Sequence, residues 1–148
     1  MFKHILLPTD GSKLSDKAVQ RGIELAEAID ARVTAVHVIP EFQMMADESF
    51  VLPTSVDLQQ RYEKEAKARA SKLLEKLRAR AHAAGVTYEG VMVIADTPYE
   101  QIIETARKRK CDLIVMASHG RRGISALILG SETSKVLMHS KIPVLVVR

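Results

Sequence analysis

The sequence predicts an α/β domain built on an open, parallel five-stranded sheet with helices on both faces. Three observations lead there. Short apolar or β-branched runs alternate with amphipathic helical patterns along the whole chain. The links between them are mostly short, and parallel neighbours require crossover connections, which are right-handed. At 148 residues the chain is also the size of one domain, able to bury roughly two-thirds of its unfolded surface around a single core.

Each element has its own signature. His4 to Pro8 reads as a buried strand, after which Asp10-Gly11-Ser12 turns into a helix carrying Ala18, Gly22, Leu25 and Ile29 at helical spacing, widened by Val19, Ile23 and Ala26. Val33 to Ile39 is continuous and β-branched, stopped by Pro40, as expected of a strand covered on both faces. From about Leu58 a row of Leu58, Tyr62, Ala66, Ala70, Leu73, Leu77, Ala81 and Ala84 steps by threes and fours, with Gly85 as its stop. Tyr88 to Ile94 forms the third strand. Thr97-Pro98-Tyr99-Glu100 then combines an N-cap, a proline at the first helical position and a capping-box glutamate, starting a helix to about Arg109. Leu113 to Ala117, a helix from Ser131 to about Ser140, and Val144 to Val147 complete the series. The 40–56 connection is long and holds Phe42, Met44, Met45, Phe50 and Leu52. These either fold back onto the core, the favoured reading, or serve as a lid or docking segment.

Composition narrows the function. Apolar residues make up 47% and charged residues 27%, and no apolar stretch approaches the length of a membrane span. Pro8, Asp10 and Lys13 cut off the apolar run Ile5 to Leu7 short of a signal-peptide core, so export is not expected. Cys111 is the only cysteine, which excludes an intramolecular disulfide and predicts a reducing compartment, the cytoplasm. The formal charge of +4 is uneven: residues 1–105 carry a net −3 and residues 106–148 a net +7, so the C-terminal third attracts anions. Arg107 to Lys110 are read as the basic end of a helix, whereas Arg121 and Arg122 fall in a glycine-containing loop.

In sheets of this kind ligands sit beyond the carboxyl ends of the strands, where strand order reverses. Two of those loops are unusual. Pro8-Thr9-Asp10-Gly11-Ser12 puts a carboxylate at the tip of the first strand; taken alone, routine capping, with Asp10 or Ser12 accepting backbone N–H bonds, is the favoured account of it. Ser118-His119-Gly120-Arg121-Arg122-Gly123 is followed by Gly130-Ser131 at a helix start. Backbone amides exposed by glycine, together with a helix N-terminus, make a phosphate cradle that needs no lysine.

PTDGS after the first strand, HVI in the second, then MASHG, a nine-residue gap and GS before the last helix resemble the ATP-binding branch of the universal stress proteins, over essentially the whole chain. The motif of that branch is glycine, two residues, glycine, nine residues, glycine, then serine or threonine. Here it reads Ala117, Gly120, Gly130 and Ser131, so alanine adds a methyl at the first position. The resemblance implies strand order 3-2-1-4-5, an adenine nucleotide alpha hydrolase-like sheet, and one universal stress protein domain over 1–148. It implies that Asp10 hydrogen-bonds the ribose or adenine, with Pro8 and Thr9 lining the same end. Val38 would present backbone groups to the adenine edge and Met116 would touch the base. Gly120, Gly130 and Ser131 would hold phosphate oxygens, helped by Thr133, with Ala117, Ser118, His119, Arg121 and Glu132 completing the set. It implies ATP as ligand, with magnesium or manganese on the phosphates, and a role as a nucleotide-dependent stress-response regulator with a protein partner of its own.

Turnover finds less support than binding. There is no G-x-x-x-x-G-K-[ST], no G-x-S-x-G elbow and no H-E-x-x-H. Asp10 and His119 could act as base and acid, but nothing else orients an attacking water, so no catalytic or metal-ligating residue is assigned and a slow ATP hydrolase or adenylate-transferring enzyme stands as the alternative. His4, His37, His82 and His139 have no metal-ligand company and receive no role. The sequence pI near 9.3 suggests nucleic acid, but three Phe, three Tyr and no Trp leave little stacking surface. Val144 to Val147 would form an apolar edge without an internal charge to deter pairing; the resemblance implies a homodimer through it.

Overall fold

The computed structural model describes residues 1–43, 55–120 and 129–148. The element order is β1 (His4–Pro8), α1 (Lys13–Ile29), β2 (Arg32–Ile39), α2 (Ser55–Ala83), β3 (Tyr88–Ile94), α3 (Pro98–Lys108), β4 (Leu113–Ala117), α4 (Ser131–His139) and β5 (Val144–Val147). The strands make one sheet in the order β3-β2-β1-β4-β5, with every pair parallel. Strand order reverses between β1 and β4, whose ends are therefore neighbours. Arg121, Arg122 and most of the long connection after β2 lie outside the described residues. Its described part folds back: Phe42 packs against the Tyr62 ring, and the Tyr62 hydroxyl donates to the Pro40 carbonyl at 3.1 Å.

The period-two alternation of the strands sorts the core into two layers. Ile5, Leu7, Val33, Ala35, Leu113 and Val115 face α1 and α2, where Val19, Ile23, Leu74 and Leu77 meet them. Leu6, Val36, Ile114 and Met116 face the other way, onto Ile102 and Ala106 of α3 and Val136 of α4. Complete burial of one such side chain, Leu77, contributes about 1.5–3 kcal/mol. In α2 the buried row is Ala66, Ala70, Leu74, Leu77 and Ala81, while Leu58 is exposed and Leu73 only half-buried. The expected row thus differs at two places: a leucine pair offers the same pattern at either position, and only contact with the sheet selects Leu74. Arg80 of α2 grips Asp16 of α1 through both guanidinium ends at 2.7 and 3.0 Å, and these hydrogen bonds hold the Asp16 carboxyl below its usual range. Both side chains are partly exposed, so the pair contributes at most about 1 kcal/mol.

At the start of α3 the expected capping box is not the one formed. Thr97 makes no side-chain cap; its hydroxyl donates instead to the Glu100 carboxylate at 3.1 Å. The basic run at the end of α3 is only partly dipole compensation, because Arg107 and Lys108 pair with Glu104 and Arg109 pairs with Glu89 of β3. No described helix is long and apolar enough to cross a membrane.

Candidate functional site

The first loop is held by its own side chains. Thr9 is buried, and its N–H donates to the Val36 carbonyl at 2.9 Å, extending β1 by one rung. Its hydroxyl meets the Ser15 hydroxyl at 3.1 Å and accepts the Gly11 N–H at 3.2 Å. Asp10 Oδ1 accepts the Ser12 N–H at 2.9 Å, a side-chain turn of the kind Asp favours. Ser12 then caps α1 by accepting the Ser15 N–H at 3.2 Å. Ser12 is thus the helix cap and Asp10 the turn before it, and the second Asp10 oxygen still lies against Gly120 of the other loop.

That second loop is tied down at three points. Beyond β4 the Ser118 N–H donates to the Val147 carbonyl and the Ser118 carbonyl accepts the Gly130 N–H, both at 2.8 Å. Thr133, buried in the first turn of α4, donates its hydroxyl to the Ala117 carbonyl at 2.9 Å. The Ser118 hydroxyl lies 3.2 Å from His119 Nδ1. Gly130 is the N-cap of α4 and makes no side-chain cap hydrogen bond. A Cβ there would sit 2.9 Å from His119 Cα, so only glycine lets the two backbone segments approach this closely. A Cβ on Gly120 would overlap the Asp10 carboxylate at Oδ2. The two loops singled out in the sequence therefore meet, Asp10 against Gly120 and His119 against Gly130.

Backbone direction adds a third wall. Since Val36 accepts from Thr9, the even-numbered residues of β2 turn their amide and carbonyl towards β1. The β1–β2 register ends at Pro8 and Val36, so Val38 turns one donor and one acceptor into the open end of the sheet. The N-termini of α1 and α4 open at the same end, each bringing partial positive charge and amides with no intrahelical acceptor. This arrangement can receive an anion at Gly130 and a hydrogen-bonding heterocycle at Val38 and Asp10.

The remaining expected residues are distributed less evenly. Pro8 and Ala117 are the buried last residues of β1 and β4, and Ser131 is exposed at the start of α4. Met116 is only 5% exposed and its side chain packs in the layer under α3 and α4, beside Val38. The Glu132 carboxylate turns away from the loops, accepting the Tyr99 N–H of α3 at 2.8 Å and pairing with Lys135 at 3.2 Å. One residue without an expected role enters the site: His37 Nδ1 lies 2.8 Å from the Thr9 carbonyl. Because a carbonyl only accepts, Nδ1 carries the proton and pins the first loop from β2. The signal available in the sequence was its place near the end of a strand adjoining that loop.

With this geometry in view, likeness to known proteins is specific. The model of the Universal stress protein family matches residues 1–148. Universal stress protein MJ0531 of Methanocaldococcus jannaschii is 34% identical over 151 residues, spanning 100% of this chain and 83% of the relative. A universal stress protein of Thermus aquaticus is 35% identical over 149 residues, spanning 100% of both. Among solved structures, MJ0577 superposes with a TM-score of 0.83 at 27% identity, covering 99% of this chain and 96% of that one. A universal stress protein in complex with cAMP superposes at 0.70 with 28% identity, covering 99% and 97%. The chain belongs to the universal stress protein family.

Proposed function

We propose that this protein binds an adenine nucleotide, ATP foremost, at the carboxyl ends of β1 and β4, and that it holds the nucleotide as a stress-response regulator rather than turning it over. The observation that carries this reading is the meeting of Asp10 with Gly120 beside the uncapped end of α4 at Gly130. A relative of the same fold solved in complex with cAMP supports an adenine ligand. Asp10 and the Val38 backbone take the ribose and base, with Pro8 and Thr9 shaping that end and Met116 packing beneath it. Gly120, Gly130 and Ser131 give amides and a hydroxyl to phosphate oxygens, joined by Ser118, His119 and Arg121, while Ala117 and Thr133 act through their backbone and through packing and Glu132 stands in the first turn of α4. Magnesium or manganese would enter on the phosphates.

Two further parts belong to this reading. The protein is a cytoplasmic homodimer that pairs through β5, an edge strand on which Leu145 is 45% exposed. A regulatory protein partner reads its nucleotide state.

Backbone amides that hold ground state and transition state equally give affinity without rate. Multiple-turnover ATPase assays with magnesium at saturating ATP should therefore run below the roughly 1 per second low end of ordinary enzymes. His119→Ala should change any residual rate by less than the roughly hundredfold expected of a true acid or base. Fast turnover that collapses in His119→Ala while ATP still binds would make the protein an enzyme.

A further inference from the structure

Glu132 occupies an unusual electrostatic position. It is the second residue of α4, two positions after the N-cap Gly130, yet its carboxylate is the acceptor at the start of another helix. Pro98 at the first position of α3 has no N–H, and Thr97 makes no side-chain cap, so the Tyr99 amide is the first donor of α3 that needs a partner. Glu132 Oε2 supplies it at 2.8 Å. The other oxygen pairs with Lys135 at 3.2 Å, and the same ammonium lies 5.4 Å from the Tyr99 ring centre. One carboxylate therefore stands between the positive ends of α3 and α4. No other carboxylate stands in the first turn of α4, where Thr133 is committed to the Ala117 carbonyl.

We propose that Glu132 is a specificity-determining residue, an internal anion that competes with ligand phosphate for the field at the start of α4 and so limits how steeply affinity rises with phosphate number. This rests on the nucleotide reading above and sharpens it. A helix end favours negative charge within its first turn. Glu132 already draws on that field, and it repels any phosphate brought to Gly130. Its engagement with Tyr99 and Lys135 keeps the carboxylate off the amides, so the cradle stays open while its potential is lowered. The effect scales with ligand charge: absent for adenosine, small for AMP, largest for ATP.

The test is a calorimetric titration series of adenosine, AMP, ADP and ATP onto the wild type and Glu132→Gln, at low and high salt. Glutamine keeps an oxygen for the Tyr99 N–H and removes only the charge. ATP should bind the variant about two- to fivefold more tightly, AMP less so and adenosine unchanged, and the gain should shrink at high salt. Glu132→Ala, which also uncaps α3, should show the same gain for ATP over adenosine despite a less stable fold. An equal gain for adenosine and ATP, or none for ATP in either variant, overturns the proposal while leaving the nucleotide reading intact. A wild type that binds none of the four ligands overturns both.

Discussion

The Asp10 carboxylate lies directly against Gly120, so closely that a Cβ at position 120 would overlap Oδ2. The other oxygen, Oδ1, is held by the Ser12 N–H at 2.9 Å, which limits how far the carboxylate can retreat. Gly120→Ala should therefore push Asp10 out of position without touching the core. If Asp10 bonds the ribose or base, losing a hydrogen bond to a charged group weakens ATP about tenfold or more. Calorimetry on Gly120→Ala and Asp10→Ala should show similar losses, and Gly120→Ala binding like the wild type would separate Asp10 from the ligand.

The path from residues to this contact was partly visible in the chain. Apolar runs bounded by turn residues or a helix start marked β1, β3, β4 and β5 at their observed limits; β1 and β4 are buried throughout, as a continuous apolar run implies, whereas β3 and β5 are only partly covered. Gly120 and Gly130 stood out by their nine-residue spacing in the loop after β4, with Gly130-Ser131 at a helix start. What stayed hidden depends on the third dimension. Leu74 rather than Leu73 faces the core because of how α2 lies on the sheet. Glu132 caps α3 although 33 positions separate it from Tyr99, and His37 reaches the Thr9 carbonyl only because β2 lies beside β1. Neither hydrogen bond has a local pattern to announce it.

His4 gives the fold a pH dependence at the end opposite the candidate site. It is buried in β1, with Nε2 2.8 Å from the Thr34 hydroxyl and Nδ1 without a hydrogen-bond partner among the described residues. Burial, then the nearby positive charge of Arg32, lowers its pKa from 6.5; Arg109, through its backbone, and the charges of Asp112 and Glu89 oppose this more weakly. The folded state thus binds this proton less readily than the unfolded chain. Its stability contribution is complete above the unfolded pKa of about 6.5 and is lost as pH falls from there through the folded value. Urea unfolding from neutral to mildly acidic pH should show this decline in the wild type and a flatter profile in His4→Gln. Parallel profiles would show that another group is responsible.

The β5 edge makes a separate prediction about assembly. Val144 to Val147 pair with Ile114 to Ala117 on one side only, and the sheet ends there. An exposed apolar edge is a template for pairing. Removing residues 143–148 should convert a wild-type dimer to monomer or aggregate in sedimentation velocity. A wild type that sediments as a monomer at high concentration would remove β5 as an interface.

The central claim is that the backbone around Gly130 receives the phosphates of an adenine nucleotide. A side chain at this position would meet His119 Cα at 2.9 Å and the Ser118 carbonyl oxygen at 3.2 Å, main-chain atoms that cannot rotate aside as a side chain can. Gly130→Val should therefore close the cradle while the sheet and its two apolar layers remain folded, as circular dichroism would register. The measurement is a calorimetric titration of ATP onto the wild type and Gly130→Val. The account predicts saturable one-site binding by the wild type and no detectable binding by the variant. A wild type that does not bind ATP, or a folded Gly130→Val that binds it with wild-type affinity, would contradict it.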